Sequence, residues 1–348
     1  MILRILLCAA GAAVLLLLGS GYLLFRYAMA RRPFPWSRER PDVWVTPPTQ
    51  RMMNGKPYDP FGWGERTRAA DGWMYARGAE PGTRHTIRSH DGLTLAGHYL
   101  APENGVPPRA IFLMIHGYRS DARFDFAIAV EELSRDGYGC FLADQRAHGE
   151  SEGKYITFGV LERFDVVRWA QYLESAFPGV PVILDGISMG AASVMAAAGE
   201  TLPSNVCGVV ADCGYTCMRD IFGAAARGIF HLPPFPFVPL AELFSRLVCG
   251  VGFSDVESGP ALARVRVPVL LAHGEADSLV PFSMGQQILH ECEGKCDVSF
   301  FSVPEADHGL SYLGDHDGYR AALSALLERC PAVRENTKNP VITTRQTT

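Results

Sequence analysis

Eight short runs rich in apolar and β-branched residues alternate along this chain with segments of helical pattern, and that alternation limits its fold more than any other feature. The runs cover residues 85–89, 94–100, 110–115, 138–143, 181–184, 206–211, 267–272 and 298–303. The later ones are brief and continuously apolar, as strands covered on both faces of a parallel sheet must be. Helical stretches fall between them at about 122–136, 160–175, 189–198, 282–291 and 318–328. Strands and helices in alternation build an α/β fold, a mostly parallel eight-stranded sheet with helices on both faces. His90-Asp91-Gly92-Leu93 separates the first two runs. Asp-Gly is a hairpin signal, so the sheet is expected to begin with an antiparallel pair.

The longest interruption, about 213–265, lies between the sixth and seventh strands. It holds Phe222, Phe230, Leu232, Phe235, Phe237, Leu240 and Phe244. A connection of that length carries its own helices or a function, and it reads as a helical, apolar cap. The main domain is thus placed at about 84–330.

Residues 5–25 form a run of 21 without a charge. As a helix it spans about 30 Å, the thickness of a bilayer core. Residues 1–30 therefore read as an N-terminal transmembrane anchor. A cleaved leader is the alternative, with Ala28-Met29-Ala30 as its site; against it, the run exceeds the usual apolar core of about 7–15 residues. Arg26, Arg31, Arg32, Arg38 and Arg40 follow the span and only Arg4 precedes it, a bias that puts the rest of the chain on the cytoplasmic side. The nine cysteines form no disulfide framework, which agrees with a reducing compartment. Residues 31–83 form a juxtamembrane segment rich in Pro, Gly and Arg, with a short helix about 65–76. Its Trp36, Trp44, Trp63 and Trp73 suit either the headgroup layer or packing on the main domain. Residues 331–348 read as a flexible tail.

The chain has 348 residues, a net charge of −5, and 48% hydrophobic residues. A chain this long buries enough surface to fold without disulfide or metal staples. Whole-chain disorder is excluded by the apolar content. Nucleic acid is excluded as main partner, since phosphate binding needs clustered Lys and Arg.

The chemistry sits in four places. Gly186-Ile187-Ser188-Met189-Gly190 follows an apolar strand and precedes the small-residue helix AASVMAAA. This is G-x-S-x-G in its required setting, where glycines leave room for a sharp turn that lifts the Ser188 hydroxyl above the sheet. The Met189 N–H, at a helix start, is aimed at a bound carbonyl oxygen. His116-Gly117-Tyr118 follows the third strand, and the Tyr118 N–H is placed to be the second oxyanion donor. His116 suits a loop brace rather than a catalytic base. Asp277 follows the seventh strand and is placed to orient an imidazole; Asp212, after the sixth strand, is the other candidate acid. His308 follows the last strand. In chain order Ser188, Asp277 and His308 match the α/β-hydrolase arrangement. His308 would deprotonate Ser188 and later protonate the leaving group, while Asp277 holds its tautomer.

No cofactor or metal site is expected. Cys292 and Cys296, four apart and near His290, lack the second pair that zinc requires. Cys213 and Cys217 open the cap and read as ordinary thiols.

Residues 84–329 resemble the α/β-hydrolases, in the serine-hydrolase group of monoacylglycerol-lipase-like and prolyl-oligopeptidase-like enzymes. Two further stretches carry the likeness. Asp144-Gln145-Arg146-Ala147-His148-Gly149-Glu150-Ser151 resembles the D-x-R-x-H-G-x-S segment. Thr157-Phe158-Gly159 with Glu162 and Asp165 resembles a helix opening of membrane-anchored bacterial members. The resemblance implies that these residues are structural and that the reaction is acyl transfer to water through a serine acyl-enzyme. The apolar cap and the anchor point to ester or lipid-like substrates, with membrane lipid as partner through the N-terminal helix. A peptidase of the same fold, and a silent hydrolase-fold scaffold, are the alternatives. Oligomeric state leaves no mark in the sequence.

Overall fold

The computed structural model describes residues 1–31, 63–76 and 83–338. Most of the expected juxtamembrane segment, with Trp36 and Trp44, lies outside the described residues, as does the end of the expected tail, 339–348.

Two helices, α1 (Ile2–Met29) and α2 (Trp63–Ala76), precede the sheet. Its strands are β1 (Thr83–Arg88), β2 (Thr94–Leu100), β3 (Ile111–Ile115), β4 (Gly139–Ala143), β5 (Val182–Ile187), β6 (Val206–Asp212), β7 (Val269–Gly274) and β8 (Val298–Val303). Their spatial order is β1-β2-β4-β3-β5-β6-β7-β8. The first two pairings, β1 with β2 and β2 with β4, are antiparallel; every later one is parallel. The turn between β1 and β2 is the Asp-Gly hairpin, with Gly92 at φ +90 and the Ser89 N–H donating to the Leu93 carbonyl at 2.9 Å.

The sheet has one core on each face. Within β3, Ile111, Leu113 and Ile115 point into one, and Phe112 and Met114 into the other, as the two-residue period of a strand dictates. The first core is covered by α5 (Glu162–Ala176), α6 (Met189–Ala198), α9 (Ser258–Leu262) and α10 (Phe282–Cys292). The second is covered by α2, α4 (Ala127–Arg135), α12 (His316–Glu328) and α13 (Pro331–Lys338), with the short α11 (Ser311–Gly314) leading into α12. The ring of Trp73 lies on this second core, beneath the Arg135 guanidinium at 5.7 Å, so this tryptophan packs the domain.

Three segments depart from the sequence expectations. The helix expected at 122–136 divides at Phe126, whose φ/ψ of −110/10 separates α3 (Ala122–Asp125) from α4. β5 runs on to Ile187, because Asp185 to Ile187 still pair with β6. The flexible tail expected from Pro331 is corrected over its first eight residues, which form α13. Val333 is buried there, and the Asn336 amide donates to the carbonyls of Pro108 and Arg109 at 3.0 Å each.

The insertion between β6 and β7 is helical as expected, built from α7 (Met218–Gly228), α8 (Pro234–Cys249) and α9. Together with Met189 it encloses a third apolar cluster that includes Phe158, Tyr215, Val238 and Phe253. The long helix α1 is exposed along its first half and ends in this same cluster, where Phe25 and Met29 are fully buried.

Candidate active site

Ser188 stands between β5 and α6 at φ 58 and ψ −117. A non-glycine residue held there stores about 1–3 kcal/mol of backbone strain. The two glycines around it make the turn possible. A Cβ on Gly186 would run into the Gly190 carbonyl, and one on Gly190 into the Ile115 carbonyl. The Ser188 N–H stays tied to the Asp212 carbonyl at 2.8 Å, and its side chain is left to point at His308.

Three of the expected residues meet in one chain of hydrogen bonds. Ser188 Oγ lies 2.8 Å from His308 Nε2, and His308 Nδ1 lies 2.8 Å from Asp277 Oδ2. The tautomer follows from the partners. A carboxylate only accepts, so Nδ1 carries the proton, and the neutral ring presents Nε2 as acceptor for the serine hydroxyl. Asp277 is itself fixed: its Oδ1 accepts the N–H groups of Leu279 and Val280 at 2.9 and 2.8 Å. Burial works against its ionisation, but the charge of His308 and hydrogen bonds from His273 and His308 outweigh it and hold the carboxyl well below the usual range. Burial also works against charge on His308, and there the Asp277 carboxylate outweighs it and raises the imidazole well above its ordinary value.

The segments that carry the expected oxyanion donors adjoin Ser188. Met189 is the first residue of α6, so its N–H is one of the four that a helix start leaves without an intrahelical carbonyl. The loop after β3 lies against the serine, since a Cβ on Gly117 would sit 3.4 Å from the Ser188 Cβ. Asp125 holds that loop by accepting the Gly117 N–H at 2.7 Å and the Ser120 hydroxyl at 2.5 Å. Burial pushes this carboxyl up to about 6.

His116 takes no part in the hydrogen-bond chain of Ser188, His308 and Asp277. It is buried, its Nδ1 donates to the Gly117 carbonyl at 2.7 Å, and its Nε2 accepts the Gln145 N–H at 3.1 Å. His148 does the same for the neighbouring loop, accepting the Arg119 N–H at 3.0 Å. Asp212 accepts the Ser311 hydroxyl at 2.8 Å, and burial pushes it up to about 6; His308 bonds to Asp277 and not to it. Arg146 makes two hydrogen bonds to Asp165, at 2.6 and 2.7 Å, and two to Asp91. Glu162 takes three donors from Thr157 and Gly159. These residues brace loops and take no part in the hydrogen-bond chain of Ser188, His308 and Asp277.

Two residues that sequence reasoning misses belong to the surroundings. Asp307 Oδ1 accepts from the Ser278 N–H, the Ser278 hydroxyl and the His308 N–H at 2.7–2.8 Å, so it ties the Asp277 turn to the His308 turn. Its one signal is adjacency to His308. Cys213, at φ 48, brings its thiol within 4.8 Å of the donor atoms of Asp277 and His308. A metal bound by those three would have to break the His308–Asp277 hydrogen bond, and burial pushes the thiol up to about 11, away from the thiolate a metal needs. Cys292 and Cys296 turn their thiols to main-chain carbonyls.

Comparison with known proteins agrees with this architecture. Residues 106–229 match the profile of a family described as serine aminopeptidase, S33. Monoglyceride lipase of Homo sapiens is 32% identical over 257 residues, 63% of this chain and 81% of that protein. The uncharacterized protein YqkD of Bacillus subtilis is 25% identical over 248 residues, 71% of this chain and 79% of that protein. Among solved structures, an esterase of Pyrococcus furiosus superposes with a TM-score of 0.58 at 22% identity, over 71% of this chain and 91% of its own. An acylaminoacyl peptidase of Pyrococcus horikoshii superposes at 0.51 and 16% identity, over 71% of this chain and 41% of its own. The protein has the α/β-hydrolase fold and is a serine hydrolase. It belongs to the α/β-hydrolase family that contains the S33 serine aminopeptidases and monoglyceride lipase.

Proposed function

We propose that the protein cleaves carboxylic esters of apolar acyl groups, with Ser188 as nucleophile, His308 as general base and acid, and Asp277 as the orienting carboxylate. The observation that carries this is the unbroken hydrogen-bond chain from Ser188 Oγ through His308 to Asp277. His308 takes the hydroxyl proton as Ser188 attacks the carbonyl carbon. The main-chain N–H groups of Met189 and Tyr118 receive the oxyanion, where each donor is worth about 2.7–4 kcal/mol. His308 then protonates the departing alcohol, and water repeats the sequence on the acyl-enzyme. The apolar cluster beneath the cap, with Val238, Phe253 and Met284 beside Met189, supports an apolar acyl group.

A p-nitrophenyl ester series run beside aminoacyl p-nitroanilides tests the substrate class. Turnover that rises from acetate toward medium chains is the expected result. Preference for the anilides would replace the reading by peptidase action, which the family description favours.

We further propose that α1 anchors the enzyme in a membrane. It has 28 residues with a mean hydropathy of 2.5 over a window that is bare in the structure. Cleavage after Ala30 fits the structure poorly, since Met29 is fully buried and Ala30 pairs with Tyr155. The full chain should sediment with membranes, and a chain lacking residues 2–18 should not; equal fractionation of both refutes the anchor.

A further inference from the structure

A helix leaves the carbonyls of its last four residues without intrahelical donors. In α1 these belong to Arg26, Tyr27, Ala28 and Met29. The Ala30 N–H takes the first at 3.2 Å. The hydrolase domain takes the other three. The Arg119 guanidinium donates to the Tyr27 carbonyl. The Tyr118 hydroxyl donates to the Ala28 carbonyl at 2.7 Å. The Ile156 N–H donates to the Met29 carbonyl at 2.7 Å. Two of these three donors are consecutive residues of the loop that carries the Tyr118 N–H.

Other contacts hold the same junction. The Arg119 guanidinium lies 4.7 Å from the Tyr118 ring centre and 5.6 Å from that of Tyr27, where a cation also suits the negative end of the helix dipole. Beyond the helix, Arg31 donates through its N–H to the Lys154 carbonyl at 2.8 Å and through its side chain to the carbonyls of Ser151 and Gly149. On the cap side, Gly21 lies so close to Leu240 of α8 that any Cβ would collide with it. Tyr22 meets Phe244 edge-on at 5.3 Å, and Tyr27 meets Phe230 at 5.9 Å. Phe25 and Met29 share a buried cluster with Met189, the other expected oxyanion donor. A helix used only as a tether would leave its last carbonyls to water.

We infer that residues 21–31 are a positioning element of the active site: the end of α1 is capped by Tyr118 and Arg119, and that grip sets the Tyr118 main-chain N–H at the oxyanion position. The inference rests on the catalytic reading above. Misplacing one oxyanion donor slows the chemical step and leaves substrate binding nearly alone. The side chains of Tyr118 and Arg119 thus act on the rate through the main chain, and α8 links the same helix to the cap.

The test uses the full-length protein in detergent with water-soluble p-nitrophenyl acetate, so that delivery from a bilayer plays no part. Tyr118→Phe keeps the main-chain N–H and removes the hydroxyl. Arg119→Met removes the cation, and Arg119→Lys restores it. Gly21→Leu wedges α1 from α8 far along the chain from the loop. The expected result is a fall in kcat of about ten-fold or more for Tyr118→Phe, Arg119→Met and Gly21→Leu, with KM within about two-fold. The acid limb of the pH profile should stay in place, because His308 and Asp277 are untouched. Arg119→Lys should recover most of the loss. Gly21→Leu combined with Tyr118→Phe should cost less than the product of the two, since both act through one contact. Wild-type kcat in both Tyr118→Phe and Arg119→Met overturns the inference, and these two decide the matter if Gly21→Leu does not fold. A wild-type protein that neither turns over the ester nor reacts with a fluorophosphonate overturns the catalytic reading as well, whereas active variants beside an active wild type overturn this inference alone.

Discussion

Ser188→Ala should lower ester turnover by about 10^4- to 10^6-fold and abolish reaction with a fluorophosphonate probe. The loss is large because the remaining groups cannot act separately. His308 keeps its proton acceptor but has no hydroxyl to activate, and only binding and the oxyanion donors are left. Stability should hardly change. Alanine at position 188 inherits the same φ of 58, so the strain of the turn is neither relieved nor increased. The half-buried hydrogen bond to His308 is worth about 1 kcal/mol net, which moves the midpoint of a chain this size by a few degrees at most. Turnover and labelling that survive the substitution would sink Ser188 as nucleophile. Loss of both with a collapsed melting curve would show only that the turn had failed, and Ser188→Cys would then separate the two.

The second large effect is expected for Asp277→Asn, about 10^4-fold in kcat. Its cause can be read from the neighbours. Oδ1 of Asp277 accepts two main-chain N–H groups, from Leu279 and Val280. An asparagine must keep its carbonyl oxygen on that side, because an NH2 there would face two donors. Its NH2 is thereby turned toward His308 Nδ1, which must become an acceptor. The ring proton moves to Nε2, and Ser188 loses its base. The pH profile gives a separate reading. His308 is active only when neutral, and Asp277 raises its pKa well above the ordinary value. The acid limb of kcat/KM should therefore lie above the ordinary histidine value of about 6.5, with activity lost as pH falls through it. Removing the Asp277 charge should move that limb to lower pH. Asp212→Asn should change kcat by a few-fold at most, since an amide oxygen still accepts the Ser311 hydroxyl. If Asp212→Asn gives the large loss and Asp277→Asn does not, the orienting acid is Asp212.

Much of the site is legible in the sequence alone. G-x-S-x-G is readable because its demands are local: two glycines without Cβ, a strand before and a helix after. Asp277 and His308 are legible because each sits in the turn after an apolar strand, buried β7 and the edge strand β8, and a parallel sheet brings the ends of such strands to one edge. The cap is legible as an interruption too long for a plain loop. Strand boundaries are less so. The run at 181–184 looks finished at Asp185, yet pairing with β6 carries the strand to Ile187. Nothing in the local sequence announces a partner strand.

The remaining features depend on groups far apart in the chain. Residues 331–338 read as polar tail because the few that are buried, Val333 and Asn336, are too sparse to show a periodic face. Their helix is held by carbonyls of Pro108 and Arg109, more than 220 residues earlier. Asp307 looks like one acid among several in the sequence, and only the fold binds the Ser278 turn to it. The end of α1 is the clearest case. Hydropathy determines that residues 5–25 form an apolar helix, since a charge-free run has no other economical conformation. What its last carbonyls bind is decided by the tertiary structure alone. The sequence determines backbone periodicity, turn chemistry and which faces are apolar, because those depend on near neighbours. Only the fold decides which distant donor meets an orphan carbonyl, and so joins the Tyr118 loop to the N-terminal helix.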